Sequence, residues 1–127
     1  AGTATAFPWS TQAGHEFANA GKDGPGGGLA QGRDQWANTA PGGQFPANGF
    51  GLHDMHGNAW EWVQDVFHVD YSGAPINGEN WASGGVAGLR ILRGGSWFHH
   101  HVRSAIRYPR QASFRDSGTG FRLAKSI

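Results

Sequence analysis

Two acids have a setting that could do chemistry, Asp54 and Glu61. They lie in Gly49-Phe50-Gly51-Leu52-His53-Asp54-Met55-His56-Gly57-Asn58-Ala59-Trp60-Glu61-Trp62, which packs two tryptophans, an acid between them and three glycines into fourteen residues. Asp54 and Glu61 bracket a turn at Gly57, and glycine lets carbonyls converge there. Carboxylates mixed with backbone carbonyls on a flexible turn suit a calcium ion, which takes about six to eight oxygen ligands. Asn19 and Asp34 flank the loop Gly24-Pro25-Gly26-Gly27-Gly28, and an ion held between them would tether it. Magnesium or sodium would accept the same donors. The alternative is that these acids cap backbone amides or pair with arginines.

His99-His100-His101 raises a second metal reading, because imidazole is a common ligand. Consecutive residues of an extended strand point to opposite faces, so at most His99 and His101 converge. A surface loop of polar aromatics is the preferred reading. Around it, Trp97 to Thr119 concentrates large rings and arginines. Phe98, His99, His101, Tyr108, Arg110 and Phe114 form the candidate contact surface for a ligand, since such side chains give large contact area at modest entropy cost. Trp97 and Phe121 are assigned to the core, as are Trp60 and Trp62, two apart on one strand face.

The elements that must hold these residues are short. A chain of 127 residues allows one domain. Its 22 glycines have no strict period, which excludes collagen, while six tryptophans and eight phenylalanines exclude disorder. Strands are expected around 59–65, over Arg90–Arg93 before the Gly94-Gly95 pair, over Val102–Arg107 and over Gly120–Ala124. No stretch keeps a 3.6-residue period over ten residues, so helix is scarce. Residues 1–9 read as an extended piece ending in a packed aromatic pair.

Net charge is +1, so no global field draws nucleic acid or an anionic membrane. The charge is uneven. Eight of the nine acids precede residue 90, and Arg90, Arg93, Arg103, Arg107, Arg110, Arg115, Arg122 and Lys125 face only Asp116. These arginines either tie loops to carbonyls and carboxylates or form an anion-attracting face. Cysteine is absent, which removes disulfides, thiolate metal sites and cysteine nucleophiles. No apolar run is long enough to span a membrane as a helix. Redox chemistry therefore leaves the compartment unread; an extracytoplasmic or secreted setting is preferred.

The fourteen-residue block resembles the signature of the formylglycine-generating enzyme, or sulfatase-modifying factor, family. Arg90-Ile91-Leu92-Arg93-Gly94-Gly95-Ser96-Trp97, Arg103-Ser104-Ala105-Ile106-Arg107 and Gly120-Phe121-Arg122-Leu123-Ala124 extend the match in order. The resemblance implies an α+β, C-type-lectin-like fold, loop-rich with short antiparallel strands and little helix. It covers the C-terminal part of such a domain. The expectation is a processed or truncated product, cut where an arginine preceded Ala1, and a second chain carrying the missing N-terminal half.

The same resemblance implies two structural calcium ions. One would take the Asn19 side chain, the Ala20 carbonyl, the Asp34 carboxylate and the Trp36 carbonyl. The other would take the Asp54 side chain, the Gly57 and Ala59 carbonyls and the Glu61 carboxylate. Formylglycine-generating enzymes hold copper on two cysteines after the Gly-Gly-Ser-aromatic block. Here the first position falls on His99 and the second has no counterpart, so no copper is expected. A sulfoxide-forming branch of the family carries iron ligands on a separate helical domain, which this chain lacks. The expectation is a non-catalytic, calcium-stabilised domain serving binding or structural assembly. It would recognise a protein or peptide partner through residues 98–114, in the manner of the variable proteins of diversity-generating retroelements. The alternative is a metal-dependent oxidoreductase of the same family.

Overall fold

A computed structural model describes residues 4–9, 14–21, 32–99 and 102–124. Among them there are four strands and no helix: β1 (Trp60–Val66), β2 (Leu89–Arg93), β3 (Tyr108–Gln111) and β4 (Thr119–Phe121). They form one sheet in the order β3-β2-β1-β4. β1 pairs antiparallel with β2 through Glu61↔Arg93 and Trp62↔Leu92, and β2 antiparallel with β3.

The expectation of antiparallel strands needs correction at β4. It runs parallel to β1, with Trp60 opposite Thr119 and Trp62 opposite Phe121. The chain leaves β3 at one sheet edge and crosses to the other, and a parallel pair needs such a crossover. The register of β1 and β2 shifts between Trp62 and Val66. There the loop after β1 folds back: the Val66 amide donates to the Trp81 carbonyl at 3.0 Å, and the Trp81 amide to Asp65 Oδ1 at 2.8 Å.

The strand expected over Val102–Arg107 is a turn. Arg93 reaches across from β2 and donates to the carbonyls of Ala105 (3.2 Å) and Ile106 (2.6 Å). Those oxygens serve a guanidinium rather than a ladder, and the strand begins only at Tyr108. At the C-terminal end the strand is Thr119–Phe121, earlier and shorter than Gly120–Ala124. The expected pair at the start of the chain is present, with Phe7 stacked on Trp9 at 5.5 Å.

Trp60, Ile91, Leu92 and Val102 are buried to 2% exposure or less. Each such side chain contributes about 1.5–3 kcal/mol over its exposed state. Val102 also packs with Phe7 and Ala20, with Ala6 and Trp9 against them. The core assignment fails for Phe121, which is 73% exposed. It stands opposite Trp62 on an edge strand with no layer over it among the described residues.

Candidate binding site

Left-handed backbone organises the turn before β1. Asp54 (φ 53°), Gly57 (φ 74°) and Asn58 (φ 63°) all adopt it, and aspartate and asparagine are the side chains that tolerate it best after glycine. Gly57 forms a bridge with Asn19. A Cβ on Gly57 would lie 2.1 Å from the Asn19 carbonyl oxygen, so only glycine allows this approach.

Asn58 locks the junction. Its amide donates to the Asn19 carbonyl at 2.7 Å, its Oδ1 accepts from the Ala40 amide at 2.8 Å, and its Nδ2 donates to the Ala40 carbonyl at 3.1 Å. Sequence reading passed over Asn58, because its partners lie 18 and 39 residues away.

The first implied cation set gathers around Asp34, which is fully buried. Asp34 Oδ2 accepts from the Ala20 amide (3.0 Å) and His15 Nδ1 (3.2 Å), and Oδ1 accepts from the Trp36 amide (3.3 Å). Asn19, also fully buried, donates through Nδ2 to the Asn38 carbonyl at 2.8 Å. Among the described residues, its Oδ1 is buried with no hydrogen-bond partner.

The second set lines one cavity of about 520 Å3, with Asp54, Gly57, Ala59 and Glu61 in the wall. Asp54 Oδ2 accepts from the Gly43 amide, whereas Oδ1 is buried without a partner among the described residues. Glu61 meets Arg122. A buried acceptor with no donor is costly, and a hard cation relieves that cost where a second N–H cannot reach. The Asn19 and Asp54 oxygens therefore fit calcium chemistry. Asp34 already serves amides, and Glu61 already serves a guanidinium.

Burial gives His56 a different task. It is 8% exposed, and its Nδ1 donates to the Val102 carbonyl at 2.6 Å. Desolvation pulls its pKa below the ordinary histidine value, against the opposing pull of the Val102 hydrogen bond. The ring is thus a neutral core donor, and the indole of Trp9 sits edge-on to it at 5.2 Å.

The residues of the candidate contact surface form one row. Phe98 sits edge-on to His99 at 5.4 Å, and His99 tilts against Tyr108 at 6.1 Å. The Arg110 guanidinium lies 3.8 Å over Tyr108 and 5.2 Å from Phe114. His101 lies outside the described residues, as does His100. The row is rooted inside, where Tyr108 stacks on buried Trp60 at 4.9 Å. Trp60 Nε1 donates to His99 Nδ1 at 3.2 Å. An indole N–H only donates, so His99 Nδ1 is an acceptor, and the buried Ser96 hydroxyl 2.8 Å away donates to it as well. At the other end, Phe98 is 47% exposed. Among the described residues, no group of three or more histidine, cysteine or acidic side chains could hold a metal ion. No helix there is long and apolar enough to cross a membrane.

Comparison with known proteins places this arrangement. The model of the sulfatase-modifying factor enzyme 1-like domain matches residues 1–127, and the chain belongs to that family. It is 35% identical over 100 residues to the formylglycine-generating enzyme of Mycobacterium tuberculosis, covering 68% of this chain and 33% of that protein. It is 34% identical over 94 residues to the serine/threonine-protein kinase pkn1 of Chlamydia caviae, covering 72% of this chain and 15% of the kinase. Among solved structures, PvdO from Pseudomonas aeruginosa superposes with a TM-score of 0.70 at 35% identity, over 84% of this chain and 38% of PvdO. Treponema denticola variable protein 1 superposes with a TM-score of 0.53 at 27% identity, over 66% of this chain and 31% of its own. The chain thus spans a third or less of these two sequence relatives.

Proposed function

We propose that this chain is a non-catalytic, calcium-stabilised recognition domain that binds a protein or peptide through the 98–114 region. The single observation that carries this reading is the row Phe98, His99, Tyr108, Arg110 and Phe114, continuous from the buried Trp60 to the surface. A rigid base with exposed ring faces suits recognition, because little entropy is lost when a partner docks. The likeness to a Treponema variable protein supports the same reading. The setting would be an α+β, C-type-lectin-like domain, to which the four-stranded sheet contributes.

Calcium enters this reading through Asn19, Ala20, Asp34 and Trp36 at one position and Asp54, Gly57, Ala59 and Glu61 at the other. The partnerless Oδ1 atoms of Asn19 and Asp54 are its physical support. Catalysis by the copper route lacks its thiolates, since the chain has no cysteine.

Two measurements test the reading. Elemental analysis of the purified protein should return calcium; copper or iron with oxygen-dependent turnover of a thiol would refute it. Peptides selected from a displayed library on the wild-type protein should lose affinity for Arg110→Ala and Phe114→Ala by about tenfold. Unchanged affinity in both variants would remove the row from the site.

A further inference from the structure

We infer a second recognition site, on the sheet face beside β4, for an acidic peptide segment carrying an aromatic or aliphatic residue. A cavity of about 570 Å3 opens there, within the size range of ligand pockets. Trp62, Val63, Ala112 and Phe121 supply apolar wall, and Arg90 and Arg115 supply positive charge. No acid lines it.

Among the described residues, both arginines have donors left over. Arg90 donates once, from Nη1 to the Gln64 carbonyl at 3.0 Å. Arg115 uses Nη1 alone, toward the carbonyls of Ala112 (3.3 Å) and Phe114 (2.9 Å) in its own turn. A guanidinium carries five N–H donors, and neither of these meets a carboxylate among the described residues. Arg110, the cross-strand partner of Arg90, is instead engaged with Tyr108 and Phe114. Two guanidinium groups beside open rings match a carboxylate next to an apolar side chain, because the fork binds carboxylate in two-point fashion.

The strand edge selects a peptide rather than a bare anion. β4 closes one side of the sheet, and its outer edge pairs with no strand among the described residues. An extended segment laid along that edge would complete main-chain hydrogen bonds, aim a side chain into the cavity and set acidic neighbours against Arg90 and Arg115. The site shares no residue with the row of Phe98, His99, Tyr108, Arg110 and Phe114, so either can fail alone.

Fluorescence anisotropy on the intact protein tests this inference. The probe is a short labelled peptide with one tryptophan flanked by glutamates, against the same peptide with glutamines and against inorganic phosphate as competitor. The acidic peptide should bind about tenfold tighter than the glutamine peptide. Arg90→Gln and Arg115→Gln should each weaken it about tenfold, whereas Arg33→Gln, an exposed arginine in another loop, should not. Among the described residues the Arg115 side chain hydrogen-bonds within its own turn, so its variant decides the matter if Arg90→Gln unfolds. Equal binding of the glutamine peptide, full binding by both arginine variants, or displacement by phosphate at the peptide's own concentration would each overturn the site.

Discussion

Arg122 grips Glu61 with two edges of its guanidinium: Nε lies 3.1 Å from both carboxylate oxygens and Nη2 lies 2.7 Å from Oε1. The same group donates to the His53 carbonyl from Nη1 and to the Asp54 carbonyl from Nη2, both at 3.0 Å. One side chain just past β4 thereby fastens β1 and the turn that precedes it. Glu61 in return holds the Arg122 pKa above its ordinary value.

Arg122→Lys should therefore destabilise the fold. Lysine keeps the charge but cannot bond a carboxylate and two carbonyls at once. The pair is partly exposed, with side chains 36% and 23% accessible, so solvent screening reduces the loss to about 1–2 kcal/mol. Urea denaturation should show a lower midpoint with an unchanged slope; an unchanged midpoint would mean that the grip contributes nothing.

Gly57→Ala should cost more, about 2–4 kcal/mol. Its backbone is left-handed, and the added methyl would press on the Asn19 carbonyl, forcing apart the bridge between residues 19 and 57. By contrast, Gly43→Ala places its methyl in open space at a similarly positive φ. The difference between the two melting temperatures isolates the steric part from the backbone part.

Local chemistry made part of this molecule legible from the chain. β1 and β2 were legible to within a residue or so, and the glycine pair after Arg93 marked the end of β2. The row Phe98, His99, Tyr108, Arg110 and Phe114 could be gathered because its members crowd into seventeen positions. What stayed hidden depends on long-range partners. Nothing near Val102–Arg107 reveals that Arg93 takes the carbonyls of 105 and 106, so alternation there read as strand. Nothing near Phe121 reveals that β4 lies parallel to β1 at an edge, so an aromatic in a strand read as core. Glu61 and Arg122 are 61 residues apart, and no spacing rule connects them.

Chelation tests the proposed ions. If calcium neutralises the partnerless oxygens of Asn19 and Asp54, its removal should lower the melting temperature by several degrees, and excess calcium should restore it. Mass action sets the scale at about 2.7 kcal/mol for an ion at a hundred times its dissociation constant. Asp34→Asn should reduce the bound calcium by about one equivalent while leaving the Asp54 site filled. A melting temperature indifferent to chelator and calcium would dismiss both ions.

The buried histidine sets an acid limit on stability. His56 has its pKa lowered in the folded state, so the unfolded chain binds the proton more readily. Its contribution is complete above the ordinary histidine value of about 6.5 and declines as pH falls toward the lowered folded value. Stability should thus drop as pH falls below about 6.5. His56→Gln keeps a donor for the Val102 carbonyl but does not titrate, so its stability should be flatter across that window. It should start lower at neutral pH, because the edge-on contact with Trp9 is lost. Denaturation midpoints for both proteins at several pH values read the effect. Parallel profiles would assign the acid sensitivity to other groups.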